Sequence, residues 1–313
     1  MKMKYRNNSP LVSVIIPNYN HARYLEQRLD SVFNQTYPNF EVIILDDCST
    51  DNSLDVINRY KDNPHLAQIV PNKTNSGSTF KQWEKGFNLA KGEWIWIAES
   101  DDYCANDFLK QLMNECLKHK DVVVAHSNYI MCDEENNIIS QSKEWKNRNY
   151  NGKRFVRRRM ARFCDIHNAS GAIFKKSVLP FVSNAYQTYQ STGDYQFWSE
   201  VAACGNVVKV NKNLAFWRQS VKSVTGTKLS KGITAKEDRR VYEYIASKHH
   251  LNSIEKYLAY ASHISRYRIA NLDNEQIRED ILNQWQDCYS HGRFDKYVLW
   301  LIGSLERHFG ILI

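Results

Sequence analysis

Three short polar clusters, each placed directly after an apolar run, constrain this chain more than any other feature. Asn18-Tyr19-Asn20 follows Leu11–Ile16, the stretch Asp46-Asp47-Cys48-Ser49-Thr50-Asp51 follows Phe40–Leu45, and Glu99-Ser100-Asp101-Asp102 follows Glu93–Ala98. Apolar runs of this length, bounded by turn residues, read as buried strands. Helices are expected between them. The first covers 21–35, with Tyr24, Leu25, Arg28, Leu29, Val32 and Phe33 along one side; the second covers 51–60, with Asp51 and Ser53 as N-cap candidates. A third covers 80–90, closed by Gly92 in a C-cap position, and a fourth covers 106–119. Strands at 66–70 and 122–125 complete the set. Alternation of this kind predicts an α/β fold with a mostly parallel sheet between helices. In such sheets ligands sit at the carboxyl ends of the strands. All three polar clusters lie at that edge.

From about Gly226 onward, helical periodicity takes over: Leu251, Ile254, Tyr257, Leu258, Ala261, Ile264, then Ile277, Ile281 and Trp285. Asn252 with Glu255, and Asp273 with Gln276, read as loose capping boxes. The apolar stretch 297–305 reads as core packing, with a membrane-contacting or dimerising helix as the alternative. These patterns predict a domain over 1–225, with a ligand-binding half at 10–102 and a second half at 103–225, followed by a helical region at 226–313.

Composition excludes several classes. Seven cysteines (Cys48, Cys104, Cys116, Cys132, Cys164, Cys204, Cys288) form no C-x-x-C pair. Their spacing argues against a disulfide framework or a structural zinc site, and for a reducing, cytoplasmic setting. The apolar run at 12–16 is stopped by Pro17, which is too short for a signal peptide, and no stretch approaches the length of a membrane span. The formal net charge is +8. It is concentrated between Ser142 and Val182, where eleven Lys/Arg face two acids for a local +9. One basic window in a balanced chain does not predict nucleic-acid binding. It reads either as a solvated helix face or as an attraction to an anionic membrane surface, which would make the protein peripheral on the inner face of the plasma membrane.

The acids carry the chemistry. Residues two apart at the end of a strand share a face, so Glu99 and Asp101 are expected to point together. Converging carboxylates repel unless a cation lies between them, and hard oxygen ligands favour Mg²⁺ or Mn²⁺. The competing reading is an acidic loop that caps the helix at Asn106.

The string from Val12 to Asp102 resembles the nucleotide-binding half of a family 2 glycosyltransferase of the GT-A fold. The matching pieces are Val12-Ser13-Val14-Ile15-Ile16-Pro17-Asn18-Tyr19-Asn20, Asp46-Asp47-Cys48-Ser49-Thr50-Asp51, Asn75-Ser76-Gly77, and the run from Ala90 to Asp102. Further on, Gly193-Asp194-Tyr195-Gln196-Phe197-Trp198 resembles the family's acidic catalytic motif, and Phe216-Trp217-Arg218 with Ser223-Val224-Thr225 resembles the segment after it. The resemblance covers residues 10–225.

The resemblance implies an inverting transfer of a sugar from a nucleotide-diphosphate donor, UDP or dTDP, to a glycan or lipid-linked glycan acceptor. Pro17, Asn18 and Tyr19 would shape the loop beneath base and ribose. Asp47 would accept a hydrogen bond from a pyrimidine imino N–H, while Asp46 is structural. Asp101 would ligate the metal, with Asp102 supporting it and Glu99 at the ribose or at a metal-bound water. Asp194 would be the general base, or a helix N-cap, or both. Asn168, Ser170 and Gly171 would line the acceptor cleft, and His126 and His167 are expected to be structural.

Departures from the family pattern are specific. Gly193 stands where relatives commonly carry an acid. The segment after Gly77 lacks the usual Arg-Asn pair, leaving Lys81 or Lys85 as replacements or Trp83 to stack on the base. Ser220 replaces a common His after Arg218, the expected diphosphate contact. Two other readings stand beside this one. A nucleotidyltransferase would need a Gly-rich phosphate loop after the first strand, where this chain has Pro17-Asn18-Tyr19-Asn20-His21. A non-catalytic sugar- or nucleotide-binding relative would be marked by loss of the acids, and Asp47, Asp101, Asp102 and Asp194 are all present.

Overall fold

The structure, a computed structural model, describes residues 9–142, 146–219 and 224–286. The expected features at 297–305, Ser220, Ser223 and Cys288 lie outside these residues. The chain divides into two compact units, one drawn from Met1–Asn149, Asn168–Phe181 and Val207–Arg218, the other from Tyr150–His167, Val182–Asn206 and Gln219–Ile313. The secondary structure turns helical near residue 225 as expected, yet the second unit also takes in two earlier segments.

In the first unit the order is β1 (Val12–Asn18), α1 (Ala22–Phe33), β2 (Phe40–Asp46), α2 (Ser53–Asn58), β3 (Leu66–Pro71), α3 (Thr79–Leu89) and β4 (Trp94–Ile97). There follow β5 (Tyr103–Cys104), α4 (Phe108–Cys116), β6 (Val122–Cys132) and β7 (Ile138–Gln141). Strand β8 (Arg148–Asn151) lies where the chain passes from one unit into the other; β9 (Ala172–Lys175) and β10 (Asn206–Arg218) complete the strands. The sheet order is β3-β2-β1-β4-β9-β6-β10-β5, with β7 paired to β6. The half built from β3, β2, β1 and β4 is parallel. From β9 onward the pairing is antiparallel.

Every residue of β1 is buried, as a central parallel strand requires. Its one hydroxyl is satisfied: Ser13 donates to Glu41 Oε1 at 2.6 Å and accepts from the Gly92 N–H at 2.8 Å. On one sheet face Val14, Ile16, Val42, Ile44 and Trp96 pack with Leu25, Leu29 and Val32 of α1 and Phe108, Leu112 and Met113 of α4. Full burial of each such side chain is worth about 1.5–3 kcal/mol. On the other face Gly86 of α3 lies against Ile15, where any Cβ would collide with that side chain. Gly92 is not the expected helix cap. Helix α3 closes at Ala90 in an extended conformation. A Cβ on Gly92 would sit 2.6 Å from Ser13 N and 2.7 Å from Leu11 O, so close chain approach sets this glycine.

The second unit contains α5 (Gly152–Phe155), α6 (Gly193–Ala203), α7 (Val224–Ser230), α8 (Ile233–Lys248), α9 (Ser253–Ile269) and α10 (Glu275–Gln286). Helix α6 is buried nearly all round, the mark of a core helix. The Asn252–Glu255 capping box forms as expected. At α10 the cap is Asn274, whose Oδ1 accepts from Ile277 N at 3.0 Å, while the N–H of Asp273 bonds to Ser230 O. His263 stacks on Trp285 at 4.2 Å between ring centres. No described helix is long and apolar enough to cross a membrane.

Candidate functional site

The in-register pairing of β1 and β2 sets Asn18 beside Asp46 at their carboxyl ends. Asn18 Nδ2 donates to Asp46 Oδ1 at 2.9 Å. Asp46 also accepts from Ser49 Oγ at 2.6 Å and from Ser49 N at 3.0 Å, so it staples the loop after β2. Asn20, at φ 56°, reaches the same loop and accepts from Thr50 N at 2.7 Å. Cys48, at φ 64°, sits between Asp47 and the Ser49 staple; both left-handed residues permit tight turns.

Asp47 anchors a third loop. Its Oδ1 accepts from Asn72 Nδ2 at 2.6 Å, Ser76 N at 2.9 Å and Gln82 Nε2 at 3.0 Å, and its Oδ2 accepts from Ser76 Oγ at 2.7 Å. Each carboxylate oxygen has about two lone-pair sites, so Oδ1, with three donors, is fully engaged and Oδ2, with one, keeps a site open. Two further buried acceptors in this region, Asn18 Oδ1 and Gln82 Oε1, have no hydrogen-bond partner. Asn72 and Gln82 carry no sequence signal of this role, and Ser76 enters only within the Asn75-Ser76-Gly77 piece; polar residues around a Gly-bearing loop do not show which acid they serve.

The two lysines also go to this loop. Lys85 Nζ donates to Asn72 Oδ1 and Lys81 Nζ to Ser76 O. Trp83 does not offer a face to a base. It is 2% exposed, and its indole N–H donates to Glu99 Oε1 at 2.8 Å. Tyr19 is 46% exposed beside these loops, while Pro17 is buried within β1.

Strand β4 ends at Ile97, and Glu99 to Asp102 form a turn closed by Asp102 N donating to Glu99 O. Glu99 and Asp101 are therefore not alternate residues of a strand, and the three acids differ in role. Asp102 is 1% exposed and accepts from Arg218 N at 2.9 Å and Asn168 Nδ2 at 2.7 Å. Burial, then the nearby Asp101 charge, pushes its carboxyl up to about 6. Glu99 is pushed up to about 8 for the same two reasons, against the opposing hydrogen bond from Trp83. Asp101 is half-buried, and its carboxylate accepts no hydrogen bond among the described residues. Beneath the turn lies Arg28, fully buried, with Nε donating to Glu99 O at 2.8 Å and Nη2 3.8 Å from Asp102 Oδ2.

The donor set decides what metal arrangement fits. Among the described residues no group of three or more His, Cys, Asp or Glu could cage an ion. A divalent cation sharing one free carboxylate with phosphate oxygens and water needs no such cage. Asp101 fits that arrangement, and a cation there would relieve the repulsion felt by Glu99 and Asp102.

Arg218, expected at the diphosphate, is committed to protein. Its guanidinium donates to Asp101 O, Gln27 Oε1 and Asn136 Oδ1, and lies 4.4 Å from the Tyr24 ring centre and 5.5 Å from that of Tyr103. Asn168 and Ser170, expected at the acceptor cleft, brace the acidic turn. Asn168 serves Asp102, while Ser170 accepts from Glu99 N through Oγ and from Trp96 Nε1 through its carbonyl. Gly171 lies against Ala215. His126 is buried, and His167 stacks on Phe163.

In the second unit Asp194 lies in the first turn of α6, inside the helix and not at its N-cap, which is Thr192. Its Oδ1 accepts from Tyr195 N at 2.8 Å. Burial, opposed by that hydrogen bond, and the negative charges of Asp238 and Glu237 push it up to about 7. A carboxylate tuned near neutrality is suited to taking a proton from a hydroxyl.

The basic window is less free than its count suggests. Arg157 pairs with Glu255 and Arg159 with Asp165, Arg162 is 3% exposed, and Lys175 faces Glu93. Lys146, Arg148, Lys153, Arg154 and Arg158 are exposed.

Several known proteins are similar to this chain. A solved structure of Staphylococcus aureus TarS, residues 1–349, in complex with UDP-GlcNAc is similar in fold, with a TM-score of 0.59 at 20% identity, covering 92% of this chain and 75% of that one. An uncharacterized glycosyltransferase of Haemophilus influenzae is 39% identical over 132 residues, which is 42% of this chain and 52% of that protein. Hyaluronan synthase of Pasteurella multocida is 35% identical over 140 residues, 44% of this chain and 14% of that protein. The chain thus spans about half or less of the length of these curated relatives. The fold is the α/β GT-A arrangement with a helical C-terminal region. The pattern of Glycosyl transferase family 2 matches residues 13–179, from the strand that carries Asn18 past the acidic turn, and the chain belongs to that family.

Proposed function

We propose that the chain transfers a sugar, with inversion, from a UDP-sugar to a hydroxyl of a glycan or lipid-linked glycan in cell-surface polysaccharide synthesis. The observation that carries the reading is the acidic turn after β4. There Asp101, whose carboxylate accepts no hydrogen bond among the described residues, stands beside two carboxyls raised by burial and by its own charge. A diphosphate with Mg²⁺ or Mn²⁺ suits such a turn, since the metal neutralises charge on the leaving nucleotide. Asp101 holds the ion, Asp102 braces the turn through Arg218 N and Asn168, and Arg28 offsets the remaining charge. Asp47 presents its open Oδ2 site to the imino N–H of the base, and dTDP would offer the same edge. Asp194 takes the proton of the attacking hydroxyl. TarS, a poly(ribitol-phosphate) beta-N-acetylglucosaminyltransferase whose structure holds UDP-GlcNAc, favours a uridine donor. The exposed cations at 146–158 favour an anionic acceptor or the inner membrane face.

Calorimetric titration with UDP, dTDP and GDP, each with Mn²⁺ and with chelator, tests the donor site in wild type and Asp101→Ala. Metal-dependent binding of a pyrimidine diphosphate that weakens in the variant is expected. No binding of any of the three would overturn the enzyme reading.

A further inference from the structure

Within its own unit, the helical C-terminal region meets the segment that leads to Asp194. Three consecutive backbone N–H groups ahead of α6 converge on a single carboxylate: Gln190 N on Glu237 Oε1 at 2.8 Å, and Ser191 N at 2.8 Å and Thr192 N at 3.0 Å on Oε2. Glu237 is 6% exposed and sits on α8. One turn before it, Thr234 meets Ser191 Oγ at 2.9 Å, and one turn after it, Arg240 lies over the Tyr189 ring at 4.3 Å. Helix α8 therefore grips residues 189–192 with side chains three apart on one face. Thr192 is the N-cap of α6, and Asp194 follows two residues on.

We infer that Glu237 is the positioning residue for Asp194: its carboxylate fixes the loop that launches α6 and so fixes where the proposed base is held. A carboxylate that collects three amides is strongly charge-assisted, and its negative end faces the positive end of α6. The same charge acts on Asp194 directly. The titratable groups about it are Asp238 and Glu237 from α8, Cys164 from the segment before residue 167, which also feels Asp165, and the neighbouring Tyr195. Arg266 of α9 is engaged by Asp238 at 3.1 Å. Glu237 thus both holds the Asp194 segment and helps keep its carboxyl raised. The C-terminal helices act as part of the catalytic apparatus, a role that rests on Asp194 being the base.

The test uses the full chain in three forms: wild type, Glu237→Gln and Glu237→Asp. Amide hydrogen exchange over 189–196 reads the loop, and ¹³C-carboxyl titration of labelled Asp, assigned with Asp194→Asn, reads the base. In Glu237→Gln the 190–192 amides should exchange at least about tenfold faster, and the Asp194 midpoint should move to lower pH. In Glu237→Asp, which keeps the charge but shortens the reach, protection should fall while the midpoint stays near wild type. This second variant decides the matter if the first does not fold. Unchanged exchange together with an unchanged midpoint overturns the inference. Transfer activity retained by Asp194→Asn would instead sink the base assignment, leaving the exchange and titration results standing.

Discussion

Arg28 and Asp102 face each other out of water, guanidinium to carboxylate at 3.8 Å, on a helix and a turn 74 positions apart in the chain. Asp102 accepts from Asn168 and from the Arg218 amide, whereas Nη1 and Nη2 of Arg28 make no hydrogen bond. The arginine therefore acts mainly as a buried charge beneath three acids, seated 5.8 Å from the Trp96 ring centre. Removing one member of a buried pair leaves the other uncompensated, at a cost of about 3–5 kcal/mol. Arg28→Met should lower the unfolding free energy by that order, as read by urea unfolding. A loss under about 1 kcal/mol would mean that water or protonation of the acids already neutralises the turn.

Asp47 predicts a different outcome, centred on binding. It receives four hydrogen bonds from residues 72–82, so the loop that carries them is shaped around an acceptor. Asp47→Asn sets an NH₂ against those donors and removes the charge that would accept from a base. UDP affinity should fall about 10- to 100-fold, since hydrogen bonds to charged groups are worth about 1.5–3 kcal/mol. Calorimetry with UDP and Mn²⁺ checks it, and affinity within twofold of wild type would place the base elsewhere.

The parallel half of the fold and the carboxyl-edge clusters were legible in the sequence because their strands are unbroken apolar runs that end in polar residues. Strand β9, four residues long, and β10, which mixes Lys and Asn with apolar residues, lack that signature. Asp46 read correctly as structural. Arg28 was visible as an anomaly, one arginine inside the apolar stripe of α1, but the sequence could not say which acid it would meet. The spacing argument for Glu99 and Asp101 failed because β4 stops two residues before Glu99, so strand alternation no longer applies. Which cations of the basic window are paired was illegible for the same reason as the partner of Arg28: Glu255, the partner of Arg157, lies 98 residues away.

Gly152 tests the packing of the second unit. A Cβ there would run into the carbonyl oxygens of Ala202 and Gly205, both backbone atoms that cannot swing aside. Overpacking of this kind costs about 1–3 kcal/mol, occasionally more. Gly152→Ala should lower the thermal midpoint, and exchange in α5 and α6 should rise first. Unaltered melting would mean that α5 can shift without loss.

Asp194 carries the pH dependence. Its carboxyl is raised to about 7 by burial, and then by Asp238 and Glu237. A raised folded-state value favours the protonated acid, so its contribution to stability is complete below the unfolded value of about 3.9 and is lost as pH rises through about 7. Turnover runs the other way, because the base must be ionised. The rate of sugar transfer should climb through about pH 7 while stability at the same group declines. Asp194→Asn should flatten that part of the stability profile, reduce kcat by about 10²- to 10⁴-fold, and leave UDP affinity unchanged. A variant that keeps the wild-type rate, or a rate profile with no limb near neutrality, would assign the proton transfer to another group.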